Sequence, residues 1–291
     1  MPHGLDHIVH AVRDLDAAAE FYGRAGFTVG SRNRHPWGTH NYIVQFPGVF
    51  IELLGVGEPD LITAATPGTF SFAGFTSDFL ARDQGLAMLV LEGRGAAADA
   101  AAFSAAGIGA FDVFDFERQA KRPDGSTVKV AFSLAFAADP KAPDAGYFTC
   151  QQHYPENFWN PAFQLHPNGV SGIAEVIMVS EKPEDHAYFL GAFSGVRDIN
   201  SNASGFSVRT ERGDIRVMNP AAYRACCGTE PPNLTRGARL AAIRLVMRDK
   251  AAAIAALKKR GLAIVERDFG MVVTPDVAFG ATLIFDCTKV G

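Results

Sequence analysis

Apolar and polar positions alternate along the chain in two periods, and the order of these periods repeats. Residues 5–12 (Leu-Asp-His-Ile-Val-His-Ala-Val) are rich in β-branched and apolar side chains and predict a strand. Asp14 or Asp16 then offers a helix cap, and Ala17, Ala18, Phe21, Tyr22 and Ala25 recur at helical spacing. Gly26 stands where a helix C-terminus needs a left-handed residue. Further strands follow at 27–29, 41–46 and 49–54, the last two joined by a Pro47-Gly48 turn.

The same order returns at 86–91 with an alanine-rich helix ending at Gly107. It returns again at 173–179 with a helix ending at Gly195, and at 240–247 with a helix ending at Gly261. Strand-like segments follow each helix, at 128–136, 205–210, 215–218, 271–274 and 281–285. Four strand–helix–glycine units followed by strands predict an α+β chain of four βαβββ modules. A doubly wound parallel sheet is disfavoured, because each helix is followed by closely spaced strands and no GxGxxG follows the first strand. Turn formers cluster between Asn160 and Gly169, which divides the chain into residues 1–160 and 161–291, two modules in each part. Residues 55–84 form a longer connection with some helix expected at 76–82.

Composition narrows the partners. With 48% apolar and 20% charged residues the chain reads as a soluble globular protein. A net charge of −4 gives no reason to expect nucleic acid or an anionic membrane. Apolar runs are interrupted well before the roughly 18 residues a membrane helix requires, and no signal peptide precedes the first strand, so a cytoplasmic location is expected. Four cysteines (Cys150, Cys226, Cys227, Cys287), two of them adjacent and none in a CxxC pair, predict reduced thiols. The expected partner is a small molecule, with a homodimer also compatible.

The first module, L-D-H-I-V-H-A-V-R-D-L-D-A-A-A-E-F-Y-G-R-A-G-F at 5–27 with F-I-E-L-L at 50–54, resembles the vicinal oxygen chelate superfamily, and within it the glyoxalase-like domain proteins. The resemblance implies that the four modules pair into two glyoxalase-like domains with mixed, curled sheets. It implies a cup whose inward residues, on the first and last strand of each module, hold one divalent metal ion. Those positions fall on His7 and Glu52. Counting back nineteen residues from the helix-ending glycines places the equivalents at Met88 and Ala242. In the third module the count gives Val176, and alignment on Phe189-Leu190-Gly191 gives Glu175. The second domain is therefore expected to be degenerate.

The remaining ligand is expected from 147–153, read as the last strand of the second module. His153 is the choice, and Gln151, with the same strand parity, the fallback. Two imidazoles and a carboxylate would form a facial set suited to Fe2+, Zn2+, Ni2+, Mn2+ or cobalt, with Glu52 also the catalytic group. Such a site would perform isomerase, lyase or ring-cleaving dioxygenase chemistry at adjacent oxygens. A metal-free binding or resistance protein with the same cup is the alternative, and metal-free acid–base work by His7 and Glu52 a third reading. His10, on the opposite face of its strand, is expected beneath the helix. The polar and aromatic stretch 32–40 and the cluster Phe158-Trp159-Asn160-Pro161 are candidate walls of the cup. Arg118, Lys121 and Arg122, before the Pro123-Asp124-Gly125 turn, read as a solvated hairpin.

Overall fold

The computed structural model describes residues 2–121, 125–247, 249–267 and 270–286. Cys287 and the turn at 122–124 lie outside them. Chain order begins with β1 (Leu5–Ala11), α1 (Leu15–Arg24), β2 (Asn33–Arg34), β3 (Thr39–Phe46) and β4 (Val49–Val56). It continues with α2 (Phe72–Arg82), β5 (Gly85–Glu92), α3 (Ala96–Ala105), β6 (Phe114–Lys121), β7 (Thr127–Ala137), β8 (Gly146–Gln152) and α4 (Pro155–Phe158). The C-terminal half comprises β9 (Val170–Val179), α5 (Ala187–Ser194), β10 (Asn200–Asn202), β11 (Gly205–Val208), β12 (Asp214–Met218) and α6 (Pro220–Cys227). It ends with β13 (Arg239–Met247), α7 (Lys250–Lys259), β14 (Val265–Arg267), β15 (Gly270–Val273) and β16 (Thr282–Asp286).

These strands form two mixed sheets of eight, ordered β2-β3-β4-β1-β5-β8-β7-β6 and β10-β11-β12-β9-β13-β16-β15-β14. Each sheet holds two modules side by side. In the first, β1 pairs parallel to β4 and antiparallel to β5, and β5 pairs parallel to β8. The four helix-ending glycines all have positive φ, Gly26 at 84°, Gly107 at 69°, Gly195 at 73° and Gly261 at 71°. They supply the left-handed cap the sequence pattern requires. Asp14 is the N-cap of α1, its carboxylate accepting from the Ala17 amide.

Strand parity divides the core. One side chain set of both sheets, including Ile8, Leu89, Tyr147, Val176 and Ile243, packs with Phe21 and Tyr22 of α1, Phe103 of α3, Phe193 of α5 and Leu257 of α7. That single cluster spans both halves and takes in helices of each, and β5 and β13 also approach one another directly. The opposite faces carry separate clusters, one covered by α2 through Phe72 and Phe79, the other by α6 through Tyr223 and Cys227.

Polar groups also join the halves. His186 Nδ1 lies 2.6 Å from Asp139 and its Nε2 lies 2.9 Å from Ser180 Oγ, all three buried. Gly85 and Gly280 approach so closely that a Cβ on Gly280 would lie 2.0 Å from the Gln84 carbonyl oxygen. No helix among the described residues is long and apolar enough to cross a membrane.

His10 lies under α1 as its parity requires. Its Nε2 donates to the Phe279 carbonyl at 3.0 Å, and its Nδ1 accepts from the Tyr22 hydroxyl at 3.0 Å. Complete burial holds its pKa down to about 4, against a smaller opposing effect of the Phe279 carbonyl. The folded state thus binds a proton less readily than the unfolded chain. The stability from neutral His10 is fully present above pH 6.5 and is lost as pH falls toward 4, up to about 3 kcal/mol. His35, lowered to about 3 by burial, Arg118 and His40, acts in the same sense. Urea unfolding between pH 4 and 7 should show wild-type stability falling with acid. The His10→Gln slope should be smaller by about 1.4 kcal/mol per pH unit; equal slopes would remove His10 as a cause.

Candidate functional site

The cup of the first sheet contains a chamber of about 60 Å³. Its walls are aromatic, with Trp37, Phe50, Phe72, Phe116, Phe132, Phe148 and Phe158, and its polar groups include His7, His35, Asn41, Glu52 and Arg118. β1 and β4 bring His7 and Glu52 to its floor, where His7 Nε2 and Glu52 Oε2 stand 3.7 Å apart. Both are buried, at 4% and 6% exposure.

Each is held by neighbours. Asp6 Oδ2 lies 2.6 Å from His7 Nδ1, so that nitrogen donates to the carboxylate and Nε2 is the ring nitrogen left facing Glu52. Gln152 Nε2 donates to the other Asp6 oxygen at 3.1 Å. The His7 ring stacks on Phe50 with centroids 4.2 Å apart. Asn41 Nδ2 donates to Glu52 Oε1 at 2.5 Å, and Asn33 Nδ2 donates to Asn41 Oδ1 at 3.0 Å. Burial raises the pKa of Glu52 above the ordinary carboxylate range; His7, Asn41 and Arg118 oppose that rise without cancelling it.

A vestibule of about 530 Å³ adjoins the chamber and shares Ile43, Arg118 and Phe158 with it. The segment after β8 builds its wall, Phe158 and Trp159 among the lining residues. Gln45 ties that segment down, donating to the Phe158 carbonyl at 2.8 Å and accepting from the Asn160 amide at 3.0 Å. The stretch 32–40 contributes His35 and Trp37 to the chamber. The Trp37 indole N–H is buried there with no hydrogen-bond partner among the described residues.

His153 does not join the pair. β8 ends at Gln152, and its inward residues are Phe148 and Cys150 in the chamber wall. The odd residues point the other way: Thr149 donates to Asp99 of α3, and Gln151 accepts from the Ala96 amide. His153 is exposed, with Nε2 2.7 Å from Ser133 Oγ, which donates to Asp115. The expected parity was displaced by one residue, which sends both His153 and Gln151 to the wrong face. Arg118, read as part of a solvated hairpin, instead turns inward from β6.

Strand register identifies the metal-holding positions implied by the family resemblance. Val9 lies opposite Glu52 and opposite Met88, and Val90 opposite His7 and Phe148. The pseudo-twofold relation therefore equates His7 with Met88 and Glu52 with Phe148. Two of the four positions carry donors and two carry apolar side chains. Among the described residues no group of three or more His, Cys, Asp or Glu is placed to hold a metal ion. The half-buried Arg118 guanidinium supplies positive charge near Glu52. These residues do not fit a divalent ion with three or four protein ligands.

The second cup repeats the framework with different chemistry. Ile177 lies opposite Arg216 and opposite Ala242, so Glu175 stands in the place of His7 and Arg216 in that of Glu52, 3.9 Å apart. Arg244 adds contacts of 3.2 Å to Glu175 and 2.6 Å to Asp286. Alignment on Phe189, rather than the glycine count, gives the structurally equivalent residue. Arginine and carboxylate pairs there neutralise one another.

No curated protein matches the chain in sequence. Among solved structures, a hypothetical protein from Staphylococcus aureus superposes with a TM-score of 0.67 at 14% identity, over 98% of this chain and 99% of that one. A mutant of 4-hydroxymandelate synthase from Streptomyces coelicolor gives 0.54 at 14% identity, over 92% of this chain and 78% of the other. A xylose isomerase-like TIM barrel/4-hydroxyphenylpyruvate dioxygenase fusion protein gives 0.51 at 14% identity; 91% of this chain matches 40% of that one. At such identities the likeness is one of fold. The glyoxalase-like domain family model matches residues 5–192, which include the His7–Glu52 cup, and the chain belongs to that family.

Proposed function

We propose that the N-terminal cup is a small-molecule enzyme site in which Glu52, backed by His7, exchanges a proton with the bound substrate. The observation that supports this reading is the buried Glu52 carboxyl. One oxygen is fixed by Asn41 and the other faces His7 Nε2. A carboxyl whose pKa is raised by burial lies nearer neutrality than a surface acid, which improves it as a proton donor and acceptor. Asp6 fixes the His7 tautomer, so His7 can accept a proton from Glu52 and return it. The aromatic walls keep water scarce and hold a flat apolar substrate against the carboxyl. Chemistry of this kind suits a C–H made acidic by an adjacent carbonyl, in an isomerase or lyase reaction.

A resident metal is a distinct reading of the same cup. The Asp6–His7 contact resembles the carboxylate–histidine arrangement that orients metal ligands, and His7 with Glu52 would be the ion's two protein donors. Elemental analysis separates the readings. Wild type, His7→Ala, Glu52→Ala and His153→Ala are all expected to purify without stoichiometric metal. Metal bound one-to-one by wild type and lost on substituting His7 and Glu52 would replace the proton-transfer reading with a two-ligand centre.

Proton transfer has its own readout. Small aldehydes and ketones incubated with wild type in D2O should exchange the C–H beside the carbonyl, followed by proton NMR. Glu52→Gln should slow exchange at least about 100-fold. No exchange with any compound of the panel, or equal rates in the variant, counts against Glu52 as the proton carrier.

The raised pKa also makes a stability prediction. A carboxyl with a folded pKa above its unfolded value contributes stability fully present below the unfolded value, which is lost as pH rises through the folded one. Glu52→Gln removes that loss while keeping an oxygen for Asn41. Its advantage over wild type in thermal unfolding should grow as pH rises from near 4.5 toward neutrality. A constant difference would mean that Glu52 titrates as it does in the unfolded chain.

A further inference from the structure

We propose that the ligand of this cup is a flat apolar carboxylate, its ring in the chamber and its carboxylate held by Arg118 at the neck between chamber and vestibule. The proposal rests on the reading of the cup as a small-molecule site and adds the chemical class of what enters it.

Arg118 lines both cavities, and only Ile43 and Phe158 share that position. Its guanidinium is half-buried, yet among the described residues it makes no hydrogen bond or ion pair. Its electrostatic couplings in the chamber are to Glu52 and to His35. Other arginines lining cavities are satisfied by protein carboxylates: Arg82 and Arg236 by Asp144, Arg239 by Asp83 and Arg212 by Glu92. A guanidinium taken partly out of water without a partner is unfavourable in isolation. A planar anion relieves that deficit, because its two oxygens match the guanidinium fork.

The rest of the site selects the remainder of the ligand. The chamber beyond the neck is walled by phenylalanine and tryptophan, which suits an aromatic or similarly flat group packed edge or face against the rings. Outside the neck the vestibule offers Ser31, Asn33, Asn157 and Asn160 with one acid, Glu156, so a substituent extending outward from the carboxylate end meets polar groups. A neutral hydrocarbon leaves Arg118 unpaired, and a small anion such as acetate leaves the aromatic walls unfilled.

Both tryptophans, Trp37 in the chamber and Trp159 in the vestibule, report on occupancy. Fluorescence titrations at matched ionic strength with benzoate, benzyl alcohol and acetate separate ring from charge. Wild type should bind benzoate at least about tenfold more tightly than either of the others, a difference of about 1.4 kcal/mol. Arg118→Gln should abolish that preference while binding benzyl alcohol as wild type does, and this retained binding certifies an intact cup. Arg118→Lys should keep part of the preference, since it retains charge but not the fork. Benzyl alcohol binding as tightly as benzoate, or a preference that survives Arg118→Gln, overturns the carboxylate assignment and leaves the cup as a ligand site. If none of the three probes changes the fluorescence of wild type, the small-molecule reading fails and the proposal with it.

Discussion

Burial of the Glu52 carboxyl among aromatic side chains is the constraint around which the N-terminal half is arranged. An acid in that setting is unfavourable unless its oxygens are held and its proton has somewhere to go. Asn41 meets the first demand, and is itself steadied by Asn33 on the neighbouring edge strand. His7 meets the second, and is steadied by Asp6, which Gln152 holds from β8. Four strands thus converge on one functional group. Each contact fixes a side chain whose freedom would otherwise blur the geometry at the cup floor.

The pseudo-symmetry of the fold makes the division of labour visible. Four modules present the same two inward positions, and the chain fills them differently in each pair. His7 and Glu52 face Met88 and Phe148 in the first sheet, while Glu175 and Arg216 face Ala242 and Ile284 in the second. In the first cup the apolar substitutions leave room for a ligand beside an acid. In the second, arginine neutralises acid inside the protein, and α6 closes over the site with Tyr223 and Cys227. One backbone plan therefore yields a cavity lined by an acid and a histidine in one half and paired arginines and carboxylates in the other.

Much of this was legible in the sequence. The strand–helix–glycine order shows because a left-handed cap demands glycine, and because strands and helices impose different apolar periods. His7 and Glu52 were placed by the family resemblance of the first module, and the strand register brings them together on the cup floor. His153 shows the limit: a period of two turns an error of one residue into the opposite face, and no helix cap lies near enough to β8 to fix its phase. Arg118 was missed for a related reason. A charged residue before a Pro-Asp-Gly turn looks like a solvated hairpin, and only the curl of the sheet turns β6 back over the cup. Trp37 and Phe158 carried a weaker signal, as aromatic residues in polar connections.

The packing between the sheets has a consequence for cooperativity. α1, α3, α5 and α7 share one apolar cluster with strands of both sheets. Opening one sheet would expose apolar surface that the other also packs against, which couples the stability of the two halves. A molecule settled beside Glu52 then adds its binding energy to the whole chain. On the proposed reading of the first cup, the second half would share in that stabilisation without touching the molecule.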